Sequence, residues 1–307
     1  MRTALTAIAD ELKRLKATGV KSVAVSDESV AVLRKMLAAR APKTGERKPE
    51  TGKIEPAPTP RPQVLAPAPG KSLEKTPASS AAKLPAPPVV VLPVGDKAAR
   101  LAWLSDHVLN HPVCTANIRP GKKAVMGVGS LDAKIMFVGE APGAEEEIQG
   151  EPFVGPAGQL LTKMIGAMGL KRSEVYIGNI MNWRPQIPTP AGAEQIGNRP
   201  PSTEEMMFCL PFLRAQIEIV NPAVLVALGS TAAQGLLGAD SFKTLGEIRG
   251  RWKLFAEKPV MVTYHPSYIL RNASNRSKRM VWEDLLKVME RLDMPVSDKQ
   301  RGYFLDK

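Results

Sequence analysis

The sequence predicts an α/β fold in three layers, α/β/α, around a central four-stranded parallel sheet. Four short apolar runs rich in β-branched residues, KIMFVGE, VYIGNI, AVLVALG and PVMVTYHP, recur beyond Leu101. The runs are continuous rather than alternating, which marks strands covered on both faces. Helical stretches separate them, expected at Gly158 to Met168, Thr203 to Val220 and Thr231 to Leu237, with a last one from about Met280 to Arg291. Strand–helix alternation of this kind makes a parallel sheet with helices on either side.

Taken in order, the chain divides into four parts. Residues 1–40 read as a helical segment: Leu5, Ile8, Leu12 and Leu15 share one face, Gly19 stops it, and Val30, Leu33, Met36 and Leu37 share another after a cap at Ser26. Two such helices bury little alone, so contact with an unidentified protein partner is one reading of them. Residues 41–96 turn to Pro, Ala, Lys and Ser, the composition of a disordered, semi-extended linker. Residues 97–295 hold the strand–helix pattern, and 296–307 form a C-terminal tail.

With 307 residues the chain has room for one sizeable domain and additional segments. Its formal net charge of +12 favours a polyanionic partner, nucleic acid first. No run of eighteen apolar residues occurs, and Asp10 and Glu11 interrupt the N-terminus before a signal core forms. A cytoplasmic, nucleoid-associated and bacterial protein without membrane insertion is expected, working as a monomer. Only two cysteines are present, Cys114 and Cys209, without a CxxC; no metal site and no disulfide are expected from them.

In open parallel sheets ligands bind beyond the carboxyl ends of the strands. Here those ends carry Glu140, Asn179, Gly229-Ser230 and His265. A carboxylate, an amide, a small polar turn and an imidazole thus converge on one edge. Singly, each has an ordinary explanation as a turn or capping residue; together at four strand ends they describe a reaction site.

The stretches GEAPGAEEEIQGEPFVGPAG, YIGNIMNWRP, NRPPS, LVALGSTAAQGLLG, RGRW and TYHPSYILR resemble, in order, the motifs of the uracil-DNA glycosylase superfamily, closest to its family 4. The likeness spans about Leu101 to Leu292. It implies a monofunctional enzyme that flips uracil out of DNA and hydrolyses its N-glycosidic bond, leaving an abasic site. By the same resemblance Glu140 and His265 are the catalytic pair. Glu140 stabilises positive charge on the sugar and orients water, and His265 donates to the uracil O2. Gly139, Glu146, Phe153 and Asn179 contact the base: Phe153 stacks on it, Asn179 reads its O4 and N3–H, and Glu146 crowds the 5-methyl position of thymine. Glu145, Glu147 and Glu151 are expected to be solvated or capping. Tyr268, Ile269 or Leu270 is the apolar tip of a minor-groove wedge, with Arg271, Arg276, Lys278, Arg279, Ser230, Thr231 and Ser267 toward phosphate.

Two departures from the pattern stand out. Family 4 members hold an iron–sulfur cluster on four cysteines; here Cys114 and Cys209 resemble the first and last, while Asn117 and Trp183 occupy the other two places. The cluster is therefore expected to be absent, with packing around Trp183 instead. An insertion, QIPTPAGAEQIG, separates Arg184-Pro185 from Asn198-Arg199-Pro200 and contains no histidine, which disfavours a covalent DNA trap of the kind one branch of the superfamily uses. No lysine stands at a strand end, so no lyase step is expected. Two other readings stay open: a glycosylase for hypoxanthine or xanthine, and a non-catalytic nucleic-acid-binding accessory protein.

Overall fold

The structure, a computed structural model, describes residues 84–190 and 192–305. The expected helical segment 1–40 and residues 41–83 of the expected linker lie outside the described residues. Residues 84–96 form neither helix nor strand, and Leu84, Val90 and Leu92 pack against the domain.

In chain order the elements are α1 (Lys97–Leu109), α2 (Pro112–Ala116), β1 (Val128–Gly129), β2 (Ile135–Gly139), α3 (Ala144–Gln149), α4 (Pro156–Ala167), a 3-10 turn (Arg172–Glu174) and β3 (Tyr176–Asn179). There follow α5 (Thr203–Val220), β4 (Val224–Leu228), α6 (Ser230–Leu237), α7 (Leu245–Ile248), β5 (Trp252–Phe255), β6 (Lys258–Thr263), α8 (Pro266–Arg271), α9 (Asn275–Arg291) and α10 (Asp298–Arg301). Local chemistry sets several starts. Ser202 and Glu205 form a capping box on α5, satisfying two backbone donors reciprocally. Ser274 caps α9 by accepting from Ser277 N–H.

The sheet has six strands in the order β1-β3-β2-β4-β6-β5. The four expected strands form its parallel centre, β3-β2-β4-β6. Two antiparallel edge strands, β1 and β5, escaped the sequence reading. Their burial explains why: β1 is two residues long, and β5 carries Lys253 and an exposed Leu254, so neither offers a continuous apolar run.

Alternation along the buried strands assigns the layers. Met136, Val138, Leu225, Ala227, Val260 and Val262 face Leu213 and Ile217 of α5 and Ala232 and Ala233 of α6. Ile135, Phe137, Ile177, Val226 and Met261 face Leu161 and Ile165 of α4 and Val281, Leu285 and Val288 of α9. A third cluster lies between α1 and the far side of α5, with Leu104, Val108, Cys114, Trp183, Phe208, Cys209 and Phe212.

The register pairs Gly139 with Asn179 and Leu228 with Thr263, so the ends of β2, β3, β4 and β6 share one edge of the sheet. The segment after 295 returns to the domain. Gln300 Nε2 donates to the Ala167 carbonyl at 2.9 Å, Trp282 Nε1 donates to the Gln300 carbonyl at 2.6 Å, and Tyr303 packs against Trp282. Among the described residues no helix is long and apolar enough to cross a membrane.

Candidate active site

A cavity of about 490 Å³ opens at this edge, lined by Glu140, Phe153, Asn179, Ser230, His265 and Arg271, with Asn198 and Arg199 on its rim. All four strand ends chosen from the sequence therefore reach one space.

Asn179 ends β3 and is buried, yet its Oδ1 has no hydrogen-bond partner. A buried acceptor left open costs free energy, and inside a cavity it waits for a donor from a ligand. Asn182, three residues on, also has an unpartnered Oδ1, but its Nδ2 donates to the Val125 carbonyl at 3.1 Å and it does not line the cavity. Gly139 is a matter of space. A Cβ there would lie 2.4 Å from Asn179 Oδ1 and 2.5 Å from the Phe153 ring, so any side chain would displace both groups.

Phe153 sits at a positive φ of 54°, a conformation that non-glycine residues seldom adopt. Its carbonyl passes so near Gly158 that a Cβ on Gly158 would collide with it at 1.7 Å. The loop thus presses on the start of α4 and holds the aromatic ring in the cavity wall, 5.6 Å from the imidazole of His265.

His265 precedes a proline at the start of α8, where backbone N–H groups lack helical partners. Its Nδ1 accepts from Ser267 N–H at 3.1 Å and lies 2.8 Å from Ser267 Oγ. With Nδ1 used as acceptor, the neutral ring carries its proton on Nε2. Burial, reinforced by the Arg271 charge, lowers its pKa to about 4, so this neutral tautomer is the working form near neutrality. Glu140 moves the other way: burial raises its carboxyl above the usual range, opposed by a hydrogen bond with Thr231.

Residues 126–286 match the model of the uracil DNA glycosylase superfamily. The chain is 45% identical over 166 residues to the type-4 uracil-DNA glycosylase of Thermotoga maritima, covering 53% of this chain and 80% of that relative. It is 39% identical over 178 residues to the type-4 enzyme of Saccharolobus solfataricus, covering 56% and 77%, and 30% identical over 178 residues to the type-5 enzyme of Pyrobaculum aerophilum, covering 53% and 72%. This chain belongs to the uracil-DNA glycosylase superfamily.

Within this glycosylase, several residues stand differently from their sequence expectation. Glu146 lines the cavity, but its carboxylate is committed to backbone: Oε1 accepts from Val154 and Gly155 N–H, both at 3.0 Å, and Oε2 from Gly143 N–H at 3.1 Å. These bonds tie the Phe153 loop to the turn after β2 while Glu146 stays in the cavity lining. Glu147, expected to be solvated, is buried between Arg119 and Arg184, with Arg184 Nη1 at 2.8 Å. Ile269 is buried in the core beneath α8. Tyr268 stacks on Tyr264 with centroids 4.4 Å apart, and Leu270 is 48% exposed. Ser267 spends its hydroxyl on His265, whereas Ser230 and Arg271 remain exposed at the cavity.

The sequence reading overlooked Asn198, whose Oδ1 accepts from Arg184 Nε at 2.8 Å at the cavity rim. The NRPPS motif was the available signal, but the insertion before it separates Asn198 from the strand end. Thr231, first read only as a phosphate donor, lines the cavity with Glu140, and its side chain opposes the rise of that carboxyl's pKa.

The cysteines do not fit a four-thiolate cluster. Cys114 and Cys209 are both buried in the α1–α5 cluster, where burial pushes the Cys114 thiol up to about 12 and the Cys209 thiol well up. A four-thiolate set needs four cysteines, and no further cysteine exists in the sequence to complete it. Asn117 turns its Nδ2 to the Val113 carbonyl at 2.8 Å, and Trp183 packs on Phe208 with centroids 6.0 Å apart. Among the described residues no group of three or more His, Cys, Asp or Glu is placed to hold a metal ion.

Proposed function

We propose that this protein excises uracil from DNA by hydrolysis of the N-glycosidic bond, acting as a monomer on DNA in the cytoplasm and leaving an abasic site. The observation that carries the reading is the pairing of an open acceptor, Asn179 Oδ1, with a donor-only His265 Nε2–H across one cavity walled by Phe153. Uracil's edge alternates acceptor, donor, acceptor at O4, N3–H and O2. Asn179 Oδ1 accepts from N3–H while its Nδ2 donates to O4; cytosine offers an amino group and a bare N3 at the same places and is refused.

A flipped base stacks on Phe153, a contact worth about 1 to 3 kcal/mol. As the bond from C1′ to the base N1 breaks, its electron pair passes to the base and charge grows on O2. His265 Nε2–H meets that charge as a neutral donor. Glu140, ionised, faces the sugar as it gains positive charge and receives the proton of the water that adds to C1′. Glu146 acts at one remove by fixing the Phe153 loop, and Leu270 with Arg271 supports the opened duplex and its phosphates.

The test is base release from oligonucleotides carrying U·G, U·A, T·G, hypoxanthine or xanthine, read by alkaline strand cleavage. Release of uracil and not thymine, lost in Asn179→Ala, supports the reading. Preferential release of hypoxanthine or xanthine would move the assignment to a purine-directed glycosylase, and binding without release to an accessory protein.

A further inference from the structure

We propose that the 186–197 insertion, together with Trp183, is a metal-free replacement for the cross-link that four cysteines and a cluster would make, and that it braces one wall of the base pocket. The two places that lack cysteine, Asn117 and Trp183, lie in two chain segments that the insertion joins. On the first segment, Gln186 Nε2 donates to the Asn117 carbonyl at 3.0 Å, and Lys122 pairs with Glu194 at 3.1 Å. On the second, Arg184 follows Trp183 directly and reaches back over the insertion's far end: Nη2 donates to the Gly197 carbonyl at 2.6 Å and Nε to Asn198 Oδ1.

Gln195 closes the loop on itself. Its Oε1 accepts from Ile187 N–H at 3.1 Å and its Nε2 donates to the Pro185 carbonyl at 3.1 Å. Arg184 and Gln195 are each only 5% exposed, and Arg184 shares Glu147 with Arg119, which ties both segments to α3. A satisfied buried polar network of this kind fixes one arrangement, because any partial disruption strands a desolvated group. Beneath it Trp183, 1% exposed, packs by shape alone beside Cys114, Cys209 and Phe208, its Nε1–H outside the network and without a partner. The wall so held is Pro185, Asn198 and Arg199, all of which line the base cavity. Arg184 is therefore a positioning residue that acts through Asn198.

The full chain tests this in two ways. Purified protein is expected to carry no stoichiometric iron or acid-labile sulfide and no visible absorbance, and to keep its Tm after chelator and oxidant treatment. Cys114→Ala with Cys209→Ala is expected to release uracil at the wild-type rate. Stoichiometric iron, or a Tm that collapses on stripping, would overturn the proposal. Gln195→Ala, a milder lesion than shortening the loop, is expected to lower Tm and raise KM severalfold with kcat close to wild type. An unchanged Tm and KM would overturn the brace. The KM readout rests on the glycosylase reading, whereas iron content and Tm do not, so failure of either idea is seen separately.

Discussion

Asn179 and His265 reach the cavity by different local rules, and the difference predicts how each responds to change. Asn179 is carried there by strand register, with Gly139 opposite it; Gly139→Ala places a methyl 2.4 Å from its Oδ1 and 2.5 Å from the Phe153 ring. That variant is expected to lose uracil binding, seen as a raised KM in steady-state release assays. His265 is held by a helix start, and its pKa near 4 removes it from the ordinary pH range. Glu140 is raised, so its ionised fraction falls at a higher pH than for a free glutamate. A single-turnover pH profile is expected to drop on the acid side above the usual carboxylate range, with no inflection near the free-imidazole value of about 6.5. Glu140→Gln should abolish that limb. The strand-end residues were legible in the sequence because position and chemistry coincide there. Glu147 was not, since its partners Arg119 and Arg184 lie 28 and 37 residues away and only the fold brings them together.

At the scale of elements, α8 shows what periodicity hides. HPSYILR reads as an apolar tip of three candidates, but a six-residue helix turns Ile269 to the core and Leu270 outward. Ile269→Ala is expected to destabilise the domain by about 2 to 5 kcal/mol in denaturant unfolding. Leu270→Ala should stay within about 0.5 kcal/mol of wild type in the same assay. Its loss should appear instead in uracil release from duplex, more than from single-stranded DNA, because only a duplex must be opened. The four central strands were readable from continuous apolar runs, whereas β1 and β5 were not, since an edge strand needs no apolar run to pair. The insertion was visible as a departure from the family pattern, but its bracing contacts were not: Gln195 and Glu194 look like ordinary surface residues until their partners are known.

Across the whole molecule, the basic balance and the packing of residues 296–305 matter most. A net charge of +12 implies that DNA affinity falls steeply and log-linearly with salt, and Arg271→Ala should reduce that slope by about one. The segment beyond 295 covers α4 and α9 through Gln300, Trp282 and Tyr303. Its removal is expected to lower Tm, at about 2 to 4 °C for each kcal/mol lost, without changing kcat.

The central claim is that the imidazole and carboxylate at the strand ends perform the hydrolysis. It is tested most directly by single-turnover release of uracil from a U·G duplex by the full chain, with DNA affinity measured in parallel. His265→Ala is expected to slow release about 10² to 10³-fold and Glu140→Ala about 10² to 10⁴-fold, with duplex affinity retained in both. Release at the wild-type rate by either variant would contradict the account.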